Sequence, residues 1–106
     1  MPNLPEILFR YFAAQAASDF DEMADCFTCA ASVRDKAGCA QGPAGIRDWA
    51  ATNSEHGRTL QLLAIGWRGE ATVVLSTATR ESGESPRLVE HRFQLENGKI
   101  ANLELS

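Results

Sequence analysis

The sequence predicts an α+β fold in which three N-terminal helices pack on a mainly antiparallel sheet. In the first half of the chain, apolar residues recur at the three- and four-residue spacing of amphipathic helices. In the second half, long segments rich in apolar and β-branched residues are separated by glycine-bearing turns, which is typical of antiparallel strands. With 106 residues and 44% apolar content, the chain is expected to form a single domain over residues 1–106.

Two helices are predicted to open the chain. The apolar stripe of the first consists of Leu4, Ile7, Leu8, Tyr11 and Phe12. This spacing, with Pro5 in the first turn, predicts a helix over Leu4–Ala17. Ser18 or Asp19 then caps a second, short helix. Cys26 and Cys29 are expected at the end of that second helix, where small side chains pack well.

The stretch "SVRDKAGCAQGPAGIRDW" predicts a strand over Ser32–Asp35, a turn containing Gly38, and a third helix with Pro43 in its first turn. Asp35 follows Val33 by two residues, so in a strand its carboxylate points to the same side as the valine. A charged side chain directed toward the core needs a specific role, either as a cap of the turn or as part of a functional site.

Four strands are predicted to complete the chain: Arg58–Arg68, Glu70–Arg80, Arg87–Glu96 and Lys99–Leu105. The dipeptide Asn97-Gly98 is a strong hairpin signal between the last two. In the predicted strand Arg87–Glu96, one face is formed by Val89, His91, Phe93 and Leu95. The predicted strand Glu70–Arg80 is apolar on both faces, whereas three helices can cover only one side of the sheet. We therefore expect a homodimer through the other sheet face.

Composition limits the classes of partner. A net charge of −4 and a pI near 5.1 give no general attraction to phosphate backbones, so no nucleic acid is expected. No export signal and no run of about 20 apolar residues is present, which predicts a cytoplasmic protein without a membrane contact. The odd count of cysteines argues against a disulfide framework, and "CFTC" lacks nearby residues to complete a zinc site. Neither a metal nor a cofactor is predicted.

Three stretches in order, "YFAAQAASDFDEMADCF", "ASVRD" with "GPAGIRDW", and "FQLENGKIANLEL", resemble the nuclear-transport-factor-2-like (NTF2-like) superfamily. This superfamily includes the SnoaL-like polyketide cyclases and the ketosteroid isomerases. The resemblance spans almost the whole chain. It implies a cone-shaped α+β barrel whose curved sheet wraps around a pocket for a small-molecule ligand, and commonly a dimer. It does not imply one function, because the superfamily contains both enzymes and binding modules.

The resemblance also implies three candidate catalytic residues. Asp35 matches the general-base aspartate of the ketosteroid isomerases, and Tyr11 matches their oxyanion-hole tyrosine. His91 occupies the inward position equivalent to their second donor, which is a protonated aspartate in those enzymes. The turn between Asp35 and Gly42 is shorter than in those enzymes, so steroid isomerisation itself is not implied. The expected pocket-lining residues are Phe9, Phe12, Trp49, Phe93 and Leu95.

Each candidate also has a purely structural interpretation. Asp35 can cap the turn by accepting backbone N–H groups near Gly38. Tyr11 can be a core residue with a hydrogen-bonded hydroxyl, and His91 can be a pocket-wall histidine that pairs with Asp35. Two functions therefore stay open at this point. One is isomerase- or cyclase-type proton transfer on a carbonyl compound, and the other is a non-catalytic dimeric module for ligand binding or protein interaction.

Overall fold

The computed structural model describes residues 5–35, 38–52, 59–79 and 87–106. Its elements in chain order are α1 (Glu6–Ala16), α2 (Phe20–Asp25), β1 (Phe27–Asp35), β2 (Gly38–Gln41), α3 (Gly42–Thr52), β3 (Thr59–Arg68), β4 (Ala71–Thr79), β5 (Arg87–Glu96) and β6 (Lys99–Leu105). The predicted α+β class is confirmed. Two helices precede the strands, and the third follows the β1–β2 hairpin. The predicted helix start at Leu4 and the turn between β4 and β5 lie outside the described residues.

The strands form one curved six-stranded sheet in the order β2-β1-β6-β5-β4-β3. Strands β3 to β6 are an antiparallel meander, whereas β1 runs parallel to β6. Asn97 and Gly98 both have positive φ in the β5–β6 turn, as the hairpin signal requires. In the described residues the sheet is open, with β2 and β3 at its edges, rather than closed into the implied barrel.

The three helices cover one face of this sheet, which we call the inner face. Its central row consists of the cross-strand neighbours Val33, Leu103 and Phe93, which are all fully buried. Asp19 caps α2 by accepting the backbone N–H of Glu22, as one of the two predicted alternatives requires. None of the helices within the described ranges is long and apolar enough to cross a membrane.

Strand β1 begins earlier than the predicted Ser32. It starts at Phe27, which pairs with Ile100 of β6. The register of the β1–β6 pairing then shifts between Phe27 and Ser32. Cys29 therefore lies exposed in a strand, so the prediction that it ends a helix is wrong, while Cys26 is buried at the end of α2. Small residues and the register irregularity remove the two-residue alternation that would mark this half of the strand.

A bulge in β3 decides which of its leucines face inward. Leu62 pairs with Ser76 and Ala64 with Leu75, so Leu63 is an extra residue between two registered pairs. Because of this insertion, Leu62 and Ile65 both lie on the inner face, although strict alternation would place them on opposite faces. The inner face of β3 is therefore more apolar than the sequence pattern alone indicates.

Candidate functional site

Five aromatic rings join α1 to the inner face of the sheet. Tyr11 makes edge-to-face contacts with Phe12, Phe27 and Phe93, at ring-centroid distances of 5.2, 5.8 and 5.6 Å. Phe12 makes similar contacts with His91 at 5.3 Å and with Phe93 at 5.9 Å, and the His91 ring stacks on Phe93 at 5.8 Å. Tyr11 and His91 therefore both contact the Phe12–Phe93 pair. Such geometries match the quadrupole preference of aromatic rings.

His91 is an uncharged polar group inside this aromatic packing. Its side chain is 1% exposed, and its Nδ1 has no hydrogen-bond partner among the described residues. Burial alone lowers the pKa of His91 to about 4, because the imidazolium would lose its hydration. The sequence left open a neutral or a charged imidazole, and the structure favours the neutral form at pH 7.

Ser76 is a second buried polar group, which sequence reasoning missed. It is 0% exposed, and its Oγ also lacks a partner within the described ranges. Ser76 pairs with Val89, and His91 follows Val89 by two residues, so Ser76 and His91 are diagonal neighbours on the inner face. Such neighbours have Cα atoms about 7–8 Å apart. The two-residue spacing of Val74, Ser76 and Ala78 along β4 could have predicted that the Ser76 hydroxyl lies on the inner face.

Asp35 lies at the end of β1 and accepts hydrogen bonds from Gly38 and Trp49. Its Oδ1 accepts the backbone N–H of Gly38 at 3.0 Å, which is the turn-capping role that the sequence allowed. Its Oδ2 accepts the indole N–H of Trp49 in α3 at 2.8 Å. The carboxylate therefore links the β1–β2 hairpin to α3. The side chain that donates to Asp35 in this arrangement is thus Trp49, whereas a pairing with His91 was the possibility that the sequence raised.

Sheet pairing nevertheless places Asp35 and His91 on one level of the inner face. Arg34 pairs with Glu104 across the β1–β6 contact, and Leu105 pairs with His91 across the β5–β6 contact. Asp35 and His91 therefore flank Leu105, one strand away on each side, and their backbones lie about 10 Å apart at the usual strand spacing. Their side chains could contact one bound molecule without contacting each other.

An open pocket of about 290 Å³ lies between α1 and β3. Its wall is largely apolar, and Gln15 is its amide-bearing member. The lining residues are Phe9, Phe12, Ala13, Gln15, Ala16, Leu60 and Leu62. Phe9 and Phe12 were expected to line a pocket. The contribution of β3 was not expected, because it depends on the bulge.

The other three expected lining residues lie outside the wall of this pocket. Phe93 is fully buried beneath Phe12, and Leu95 and Trp49 pack partly buried against the core. Phe12 therefore separates Phe93 and His91 from the pocket.

The thiols do not form a common site. Burial raises the pKa of the Cys26 thiol to about 11, which makes it an unreactive core group, whereas Cys29 and Cys39 are exposed. Across the described part of the chain, no group of three histidine, cysteine or acidic side chains is placed to hold a metal ion.

Comparison with solved structures identifies the fold. A proposed polyketide cyclase from Sinorhizobium meliloti is 26% identical and superposes with a TM-score of 0.86, over 97% of this chain and 95% of that chain. A hypothetical protein with a ketosteroid isomerase-like fold from Catenulispora acidiphila, in complex with trimethylamine, is 14% identical with a TM-score of 0.79, over 98% and 86%.

An NTF2-like protein of unknown function from Cytophaga hutchinsonii is 10% identical with a TM-score of 0.77, over 100% of this chain and 93% of that chain. The structural neighbours are thus NTF2-like, ketosteroid isomerase-like and polyketide cyclase proteins, which confirms the resemblance seen in the sequence. No protein-family model matches the sequence, and a comparison with curated proteins gave no match either.

The buried imidazole predicts a specific acid sensitivity. In the unfolded chain His91 binds a proton near pH 6.5, whereas in the folded protein it does so only near pH 4. Between these values the unfolded state binds more protons, so the free energy of unfolding should fall by up to about 3 kcal/mol as the pH decreases. Below about pH 4 this contribution levels off.

Urea denaturation from pH 8 to pH 4 tests this, with His91→Phe as the matched variant, because it keeps a ring on Phe93 but does not titrate. The wild-type curve should fall more steeply with acid than the variant curve. Parallel curves would show that His91 does not carry the effect.

Proposed function

We propose that this protein is a single NTF2-like domain over residues 1–106 that binds a small, largely apolar molecule between α1 and the inner face of the sheet. The observation that carries the proposal is the open 290 Å³ pocket with its largely apolar wall. A concave apolar site with a few convergent polar groups is the usual form of a small-molecule site. The bound trimethylamine in a neighbour of the same fold is consistent with this use of the scaffold.

The exposed part of the pocket supports ligand binding rather than core packing. Phe9 is 63% exposed and Leu62 43% exposed, although both belong to an otherwise apolar wall. Burying apolar surface stabilises a complex by roughly 25 cal/mol per Å² before binding costs are subtracted. A flat apolar molecule of two fused rings would cover both side chains and fit the available volume.

Proton transfer is a second candidate for the same inner face. It is favoured by the placement of Asp35 and His91 on either side of Leu105. The hydrogen bonds from Gly38 and Trp49 orient the Asp35 carboxylate at this end of β1. In this proposal Asp35 takes a proton from the carbon beside a carbonyl group. Tyr11 donates a hydrogen bond to the enolate oxygen, and His91 is the second donor.

The outer face of the sheet is the proposed homodimer interface. Leu88 is 63% exposed there, next to a hydrogen-bonded pair in which Arg92 donates to Glu90 at 3.2 Å. An interface between two identical faces needs self-complementary charges, and this face carries both signs on one strand. The buried Nε of Arg92 has no partner among the described residues. A second copy is therefore the occupant that this face fits.

Filling the pocket should abolish binding of a hydrocarbon probe. Naphthalene is expected to perturb amide resonances of α1 and β3 in ¹H–¹⁵N spectra. Ala13→Trp places an indole in the pocket from an exposed helix position and should remove the perturbation. Ala44→Trp adds the same ring to an exposed position of α3 and should leave it unchanged. The pocket proposal would be contradicted if naphthalene caused no perturbation in the wild type, or if the perturbation persisted in Ala13→Trp.

Removing the proposed base should stop proton exchange. In D₂O, the α-protons of 2-tetralone should exchange faster with the protein than without it, as followed by ¹H NMR. Asp35→Asn should lower this catalysed rate by about 10²-fold or more, the usual share of a general base. Asp48→Asn, which removes an exposed carboxylate from α3, should not lower it. Equal rates for wild type and Asp35→Asn would eliminate the catalytic candidate and leave the binding proposal intact.

A charge in the outer face should separate the dimer. The wild-type protein is expected to sediment as twice the 11.5 kDa chain at high micromolar concentration. Leu88→Glu should shift it toward the monomer, because each copy would bury an unpaired carboxylate. Ala44→Glu is the matched control on the helical side. A monomeric wild type at these concentrations would refute the proposed interface.

A further inference from the structure

We infer that Ser76 and His91 together form the recognition site for one neutral hydroxyl or carbonyl group of the bound molecule. This inference rests on the proposed ligand-binding function and names the class of ligand. Both side chains are essentially fully buried, at 0% and 1% exposure. Their Oγ and Nδ1 atoms have no partner in the described part of the chain.

Buried polar atoms without a hydrogen-bond partner are rare in folded proteins, because leaving one unpaired destabilises the fold. Here two of them are diagonal neighbours on adjacent strands, on the same face of the sheet. One small polar group placed between them could hydrogen bond to both. One polar group of a ligand would thus be the missing hydrogen-bond partner of both Ser76 Oγ and His91 Nδ1.

The pair lies directly behind the pocket wall. Leu62 is the cross-strand neighbour of Ser76 on β3, and Phe12 contacts the ring of His91. Both Leu62 and Phe12 line the pocket, and neither is fully buried. A polar end of a ligand would reach the pair between these two side chains, while its apolar body stays against the pocket wall.

The chemistry of the pair selects a neutral group. A serine hydroxyl both donates and accepts, and a neutral imidazole offers one donor and one acceptor nitrogen. Together they can satisfy a hydroxyl, which donates and accepts, or a carbonyl oxygen, which accepts twice. A carboxylate would enter a buried site that contains no cation among the described inner-face residues, with Asp35 on the same face, so it is disfavoured.

Three probes with one ring system separate these possibilities at pH 7: naphthalene, 2-naphthol and 2-naphthoate. Wild-type protein should bind 2-naphthol about five- to tenfold more tightly than naphthalene, which is the usual gain from a buried hydrogen bond. It should bind 2-naphthoate more weakly than either. In Ser76→Ala the ratio of naphthol to naphthalene affinity should fall to about one or lower. Thr77→Ala removes a hydroxyl from the outer face of the same strand and should keep the wild-type ratio.

The outcomes distinguish this inference from the function on which it rests. If naphthalene does not bind, the pocket proposal fails and this inference fails with it. If naphthalene binds but the preference for naphthol is absent, or persists in Ser76→Ala, only the recognition role of the pair is refuted. Tighter binding of naphthoate than of naphthol would refute the neutral ligand class.

A stability measurement provides an independent check. If Oγ of Ser76 serves a ligand, its removal takes away an unpaired buried hydroxyl, so Ser76→Ala should have a Tm equal to or above that of the ligand-free wild type. A marked fall in Tm would show that this hydroxyl has a structural partner, which would overturn the inference. His91→Phe provides the second variant and should also lose the preference for naphthol.

Discussion

The packing of α1 on β5 is the contact on which the rest of the site depends. Tyr11 and Phe12 are consecutive, so they leave the helix about 100° apart, as 3.6 residues per turn requires. Both nevertheless make edge-to-face contacts with Phe93. This fixes the rotation of α1 about its axis. Phe12 then covers His91, and Phe9, one turn earlier, is left at the open pocket opposite β3.

The sequence was sufficient to predict those features that follow from regular spacing. The two-residue alternation in β5 predicted the shared face of Val89, His91 and Phe93, and all three are buried. The position of Asp35 beside Val33 on the inner face follows from the same rule. These predictions needed only the local period of a strand, which the pairing partners do not change.

Two features of the site could not be predicted because they depend on irregular or distant contacts. The bulge at Leu63 turns Leu62 toward the pocket, and a register shift of this kind leaves no clear composition signal. The hydrogen bond from Trp49 to Asp35 depends on how α3 docks on the β1–β2 hairpin. The sequence therefore placed Asp35 on the correct face but assigned His91 as its possible partner.

The hydrogen bond from Trp49 also bears on how Asp35 could combine a structural role in the β1–β2 hairpin with the proposed role as a base. The indole of Trp49 orients this carboxylate through a hydrogen bond and carries no charge itself. The N–H of Gly38 acts in the same way from the backbone. Asp35 lies at the edge of the inner face, whereas the more deeply buried groups are the Ser76 hydroxyl and the neutral imidazole of His91. Such an interior favours a ligand whose polar groups are uncharged, because a neutral group loses the least hydration on entering.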